Sequence, residues 1–368
     1  MLTNMKDTMR DAMQLMRSGD LHAATRRIAA GLTRPSTDAA HHPGPASDII
    51  EASYRVVDDT ADSRADPEIG PRPGDVPAEG AFTAHRFDGD ARALHYKLFV
   101  PAGLGSAAPP LIVMLHGCTQ SPDDFARGTR MNALAQEHGY VVAYPAQSQT
   151  SNPGKCWNWF RNDDQQRGQG EPALIAAMTR HLVTRHGLDA RRVYVAGLSA
   201  GGAMAAVLAG TYPDVYAAIG VHSGLPLGAA HDLPSAFAAM KQGAAPRPSA
   251  PPAPMEAVPA IVFHGDRDAT VDPRNGAAVV AQSIGTPAHD IAQRATIERG
   301  SAPGGHSFTR TLYTNAAGNV VAEQWLVHGA GHAWSGGDPS GSYTDPAGPD
   351  ASEQMLRFFS ERARDAIN

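Results

Sequence analysis

The chain has 368 residues, enough for one large α/β domain with extensions. Only 18% of them are charged, with a formal net charge of −6. With no basic stripe and no apolar run of membrane-spanning length, the composition excludes a nucleic-acid partner and gives no transmembrane segment. Two cysteines make no disulfide framework. Met1 to Arg17 mixes Lys6, Asp7, Arg10 and Asp11 among methionines without an apolar h-region or cleavage site, so the expected compartment is the cytoplasm.

Residues 1–32 read as a short helical extension. Met5, Met9, Met13 and Met16 recur at helical spacing, Ser18-Gly19-Asp20 interrupts them, and Leu21, Ala24, Ile28 and Leu32 resume the stripe. Such a face packs on its own domain or, less commonly, meets a granule or protein partner. Residues 33–80 fill with Pro, Asp, Ala, Ser and Gly and lose periodicity, which predicts a disordered linker.

A catalytic domain is expected over residues 81–368. Phe82–Phe87 and Ala93–Val100 read as an edge hairpin around Asp88-Gly89-Asp90. Pro110–Leu115 is a continuous apolar run, as a buried central strand requires, and ends in His116-Gly117-Cys118. Ser121, with Asp124 three residues on, caps a helix expected to run to about His138. Tyr140–Tyr144 is a strand and Glu171–His186 a helix. Further strands are predicted at Val193–Ala196, Ala217–Val221 and Val258–Phe263, with a Pro- and Ala-rich insertion or lid at 228–257. Arg310–Thr314 and Val320–Val327 flank a turn, and Asp350–Ala366 closes the chain as a helix. Strands alternating with helices imply an α/β fold, a mostly parallel sheet with helices on both faces.

The chemistry centres on Val193-Tyr194-Val195-Ala196-Gly197-Leu198-Ser199-Ala200-Gly201-Gly202, a strand running into Gly-x-Ser-x-Gly and then into an Ala-rich helix. A serine hydroxyl is a poor nucleophile unless a base takes its proton and its oxygen stands clear. A tight strand-to-helix turn supplies the second condition, with Gly197 and Gly201 leaving room where the elements meet. Hydrolases of this architecture carry the acid and then the base further along the chain. Asp266 and Asp268 both leave the strand ending at Phe263. Asp268 is favoured as the acid because two residues of turn carry it past the sheet edge, while Asp266 is expected to hydrogen-bond the loop. His328 and His332 compete for the base. His332, in a Gly-flanked loop that can reach Ser199, is favoured, and His328 is expected to be structural. A zinc reading fails because the Gly-rich segment between His328 and His332 makes a poor helix. No metal or cofactor is expected. The oxyanion donors are expected to be the amides of Ala200 and Cys118.

Leu115-His116-Gly117-Cys118-Thr119-Gln120, Asn152-Pro153-Gly154-Lys155-Cys156-Trp157-Asn158-Trp159-Phe160, Gly197-Leu198-Ser199-Ala200-Gly201-Gly202, His222-Ser223-Gly224 and Gly331-His332-Ala333-Trp334-Ser335-Gly336-Gly337 together resemble the polyhydroxybutyrate depolymerase family of esterases, related to feruloyl and acetylxylan esterases. The resemblance covers roughly Leu94 to Phe359. It implies an α/β-hydrolase fold acting on an ester or polyester through an acyl-enzyme, with Ser199, Asp268 and His332 as the triad. Trp334, Trp157 and His116 are the substrate-binding candidates, and core packing is the alternative for the tryptophans. With no polymer-adsorbing domain following the closing helix, soluble oligomers, amorphous polymer or small esters are the expected substrates. A feruloyl or acetylxylan esterase and a non-catalytic granule scaffold are the rival readings. Cys118 and Cys156 both fall in family motifs. Bridged, they would pin the oxyanion loop to the Trp loop, whereas a cytoplasm favours reduced thiols.

Overall fold

A computed structural model of the chain describes residues 80–89, 92–244, 258–284, 295–315 and 317–364. The chain divides into two units, Met1–Val76 and Pro77–Asn368, and every described residue belongs to the second. The helical extension expected over 1–32, residues 33–79 of the linker expected over 33–80, and residues 245–257 of the insertion lie outside the described residues.

A ten-stranded sheet forms the frame, and its strand order reflects the apolar runs. The strands are β1 (Ala81–Asp88), β2 (Ala93–Val100), β3 (Leu111–Leu115), β4 (Val141–Pro145), β5 (Val193–Leu198), β6 (Ala218–His222), β7 (Ala260–Gly265), β8 (Ala295–Ser301), β9 (Ser307–Thr314) and β10 (Val320–Val327). Their spatial order is β1-β2-β4-β3-β5-β6-β7-β10-β9-β8. The block β4-β3-β5-β6-β7-β10 is parallel, with antiparallel β1 and β2 on one side and β9 and β8 on the other. The central strands β3 to β7 are buried along their whole length, as a sheet covered on both faces requires.

Alternation along the strands divides the core in two. Leu111, Val113 and Leu115 pack with Val193 and Val195 on one face, whereas Ile112 and Met114 pack with Tyr194 and Ala196 on the other. The first face is covered by Gly170–His186, Ala200–Thr211, Leu233–Gln242 and Arg274–Ile284 (α3 to α6). The second is covered by Pro122–Thr129, Met131–His138 and Ala351–Ser360 (α1, α2 and α7). A short parallel pair, Trp334–Ser335 with Thr344–Asp345, stands apart from the main sheet.

Three departures from the sequence expectations have local causes. The helix predicted from Ser121 to His138 breaks at Arg130, whose backbone is left-handed (φ 55, ψ 17). Long-range contacts stabilise that break: the Arg130 guanidinium donates to the Gly336 carbonyl at 3.1 Å and pairs with the Asp350 carboxylate. The insertion holds a helix, Leu233–Gln242, started by a reciprocal cap between Asp232 and Ser235. The strand Ala295–Ser301 and the helix Arg274–Ile284 were not expected at all.

Backbone packs very closely beside Ser199. A Cβ built on Gly201 would lie 2.0 Å from the Leu115 carbonyl oxygen, and one on Gly197 would lie 2.4 Å from the Gly201 carbonyl carbon. By contrast, a Cβ on Gly331 meets nothing within 4 Å. Gly201→Ala is therefore expected to cost at least about 3 kcal/mol, preventing folding or lowering the melting temperature by roughly 10 °C. Gly331→Ala should leave the melting temperature within a degree or two, since an unobstructed surface substitution changes stability by about 0.5 kcal/mol or less. Thermal melts of the two variants check both expectations.

Candidate active site

Ser199 sits alone between the end of β5 and the start of α4, with φ 57 and ψ −117. A non-glycine residue at positive φ costs on the order of 1–3 kcal/mol and persists only where its surroundings enforce it. Here they do: the Ser199 amide donates to the His222 carbonyl at 2.9 Å, and its own carbonyl accepts from Ala203 at 2.9 Å. Thr119, Ser223 and Tyr343 also hold positive φ. Parallel β3, β5, β6, β7 and β10 deliver the loops beginning at His116, Ser199, Ser223, Asp266 and His328 to the same edge of the sheet.

The competing acids and bases sort into two separate pairs. His332 Nδ1 donates to Asp268 Oδ2 at 2.7 Å, and His328 pairs with Asp266 Oδ2 at 2.9 Å. The Asp268 side chain is fully buried and that of His332 is 13% exposed, against 35% and 37% for Asp266 and His328. Asp266 also accepts the Gly329 amide at 2.7 Å, and the other His328 ring nitrogen meets Thr309 Oγ1 at 2.9 Å. The Asp266–His328 pair thus fastens the loop after β10 to the turn after β7.

Asp268 has four donors around it. Its Oδ1 accepts the amides of Thr270 and Val271, each at 2.9 Å. His332 at 2.7 Å and His264 Nε2 at 3.4 Å approach Oδ2. Burial alone would raise its pKa, but the hydrogen bonds from His264, His332 and the Val271 amide outweigh burial and hold the carboxyl far below the usual carboxylate range. An ionised Asp268 facing Nδ1 assigns the proton of neutral His332 to Nδ1, which leaves Nε2 as the proton acceptor.

In the loop after β3, the Gly117 amide donates to Gln120 Oε1 at 2.9 Å, the Thr119 amide to Gly154 O at 2.8 Å, and the Gln120 amide to Gly117 O at 3.3 Å. Among the described residues the Cys118 amide has no protein acceptor. The Ala200 amide opens helix α4 and has no acceptor within the helix. Cys118 is bridged to Cys156 across 38 residues, so the oxyanion-candidate loop and the Trp loop are joined both by sulfur and by the Thr119–Gly154 hydrogen bond. The Trp loop is anchored in turn by buried Glu171, which accepts from the Asn158 amide at 2.7 Å and side chain at 2.6 Å.

The structure corrects the expected substrate-binding set. His116, Trp157 and Trp334 are each only 1% exposed. His116 is locked by its Nδ1 hydrogen bond to Gly117 O at 2.7 Å and by accepting the Gln147 amide on Nε2 at 3.1 Å. Trp157 donates its indole N–H to the His116 carbonyl at 3.1 Å, and Trp334 donates to Ser352 Oγ at 3.0 Å while packing edge-on to Phe125. Their polar handles are used inside the fold, so they support the site from beneath. The aromatic that does reach solvent is Tyr343, 45% exposed, whose hydroxyl lies 3.3 Å from Thr119 Oγ1. Sequence reasoning assigned Tyr343 and His264 no role, and His222 entered only as part of the His222-Ser223-Gly224 motif. The available signal for His264 was a histidine directly after an apolar run.

The family model described as Esterase PHB depolymerase matches residues 94–296. The chain is 37% identical over 246 residues to poly(3-hydroxyalkanoate) depolymerase C of Paucimonas lemoignei, covering 63% of this chain and 56% of that protein. It is 39% identical over 140 residues to feruloyl esterase B of Thermothelomyces thermophilus, covering 38% and 47%. The chain spans about half the length of these curated relatives. Among solved structures, the acetyl xylan esterase from Aspergillus awamori superposes with a TM-score of 0.58 at 20% identity, over 76% of this chain and 99% of that one. The shared architecture is the α/β-hydrolase fold.

Burial lowers the pKa of His116 to about 4 and of His222 to about 3. Both are depressed below the unfolded value, so the unfolded chain binds more protons below pH 6.5. The associated stability is fully present above pH 6.5 and is lost as pH falls toward 4 and then 3. The two rings together account for several kcal/mol, at about 1.4 kcal/mol per unit. Thermal melts should be flat from pH 8 to 7 and decline steadily from 6.5 to 5. A flat melting temperature down to pH 5 would mean that the rings are not held neutral.

Proposed function

The chain belongs to the esterase PHB depolymerase family, and from that premise we propose that it is a serine carboxylic-ester hydrolase for short-chain acyl and hydroxyacyl esters. The observation that carries this reading is the 2.7 Å hydrogen bond from His332 to buried, ionised Asp268, at the sheet edge where Ser199 holds its strained turn. His332 Nε2 takes the Ser199 Oγ proton as the oxygen attacks the ester carbonyl. Negative charge develops on the carbonyl oxygen, and the uncommitted amides of Cys118 and Ala200 receive it, with the positive end of helix α4 behind them. Protonated His332, stabilised by Asp268, then gives its proton to the leaving alkoxide. Water, deprotonated by the same nitrogen, releases the acid and regenerates Ser199.

Polyhydroxybutyrate or its oligomers is the substrate class we favour, supported by the likeness to the Paucimonas depolymerase. The likeness to feruloyl esterase B supports a second reading, an ester of an aromatic acid. Rates on hydroxybutyrate oligomers, p-nitrophenyl butyrate and a feruloyl ester separate them. The Cys118–Cys156 bridge supports work in an oxidising compartment rather than the cytoplasm.

Ser199→Ala should fold normally and lose activity by about a thousandfold or more, because members of a triad act as a unit. A folded variant with a tenth of the wild-type rate would rule out Ser199 as nucleophile. Asp268→Asn and His332→Ala should each be far more damaging than Asp266→Asn and His328→Ala, and the reverse ranking would exchange the two pairs.

Denatured protein should titrate no thiols until reductant is added, and then two. Reduction of the native enzyme should slow ester hydrolysis more than it lowers binding, because it loosens a loop needed in the transition state. Two free thiols in protein purified without reductant would refute the bridge.

A further inference from the structure

The reaction proposed above uses one histidine on Asp268, yet a second one faces the same carboxylate. His264 is the penultimate residue of strand β7 and is as buried as the core around it. Its Nε2 lies 2.9 Å from the Val271 carbonyl oxygen and 3.4 Å from Asp268 Oδ2. Both neighbours can only accept, so Nε2 carries the proton and Nδ1 presents a lone pair. Nδ1 is buried with no partner among the described residues. It faces Gly276 of helix α6, where even a methyl group would come within 2.9 Å of it. A proton on Nδ1 would therefore have no acceptor, and the contacts assign the ring the Nε2–H tautomer, with Nε2 as the donor. An apolar side chain would fill this space without burying an unpaired nitrogen, so what the histidine adds is its N–H.

We propose that His264 is a positioning residue for ester hydrolysis: its Nε2–H, bonded to the Val271 carbonyl at 2.9 Å, stands 3.4 Å from Asp268 Oδ2, the oxygen that also receives His332. The inference rests on the reading of Asp268 and His332 as acid and base. The N–H, shared with the Val271 carbonyl, limits rotation of the carboxylate, whose other oxygen is fixed by the Thr270 and Val271 amides. The other ionisable groups around this cluster are His222 from β6, and Asp272 with its partner Arg274 at 2.7 Å from the segment after β7. His222 accepts the Ser335 amide at 2.9 Å and stacks on Trp334, so it does not contact the carboxylate in place of His264.

The first test uses the wild-type protein. Nitrogen-15 NMR of labelled histidines should find His264 as the Nε2–H tautomer. An Nδ1–H tautomer overturns the inference without reference to activity. The second test compares His264→Leu, which removes the donor, with His264→Gln, whose amide can restore it near the Nε2 position. In His264→Leu kcat should fall roughly tenfold while KM changes less than twofold, because the loss falls on the reacting state and not on substrate binding. His264→Gln should recover most of that loss. A kcat unchanged in folded His264→Leu, or equal damage in both variants, refutes the positioning role. Asp268→Asn separates the two levels: if it is inactive while His264→Leu keeps the wild-type kcat, only this inference fails. If Asp268→Asn stays active, the parent reading fails as well.

Discussion

The Gly201 backbone lies so near the Leu115 carbonyl that no side chain can stand between them. That contact fixes the distance between the central strand β3 and the helix that follows β5. It also sets where helix α4 begins, which compels the residue before it into a conformation that serine would not choose. Ser199 is therefore held by the surrounding backbone and not by its own preferences. The same closeness brings the Cys118 loop, which leaves β3 just beyond Leu115, alongside the first turn of α4. One steric constraint thus holds the turn at Ser199 against the loop that follows β3.

The opposite wall is built by hydrogen bonding. The turn after β7 and the loop after β10 are laced together residue by residue. Asp266 N meets Val327 O, Asp266 holds His328 and the Gly329 amide, Arg267 N meets Ala330 O, and Asp268 holds His332. The exposed pair and the buried pair therefore do different jobs on the same two segments. The outer one sets register. The inner one, out of water and surrounded by donors, keeps a charge where a proton must later be moved.

The fold was legible wherever a single stretch decided its own environment. The apolar runs of β3, β5, β6 and β7 required burial on both faces, and Gly197 and Gly201 around Ser199 marked the turn. The pairing of Asp268 with His332 followed from their places after two strands, although adjacency of β7 and β10 had to be assumed. What escaped depended on distant partners. The break at Arg130 exists because Gly336 and Asp350 capture its guanidinium. Trp157 and Trp334 turned inward because His116 and Ser352 offered acceptors for their N–H groups. His264 looked like any strand-ending histidine until the turn folded Asp268 back onto it. The Asp232–Ser235 cap was a local signal, and the Pro-rich composition around it masked the helix it starts.

The cross-link between Cys118 and Cys156 has a meaning in time as well as in space. The 38 residues it spans contain α1, α2 and β4, and the neighbouring strands β1, β2 and β3 all come earlier in the chain. As a loop closure it is worth on the order of 4 kcal/mol against the unfolded chain in the entropic account. It can form as soon as the Trp loop has been synthesised, before Ser199, Asp268 or His332 exists. A chain emerging into an oxidising environment can thus join the loop after β3 to the Trp loop first, and Ser199, Asp268 and His332 then arrive against a surface already fastened.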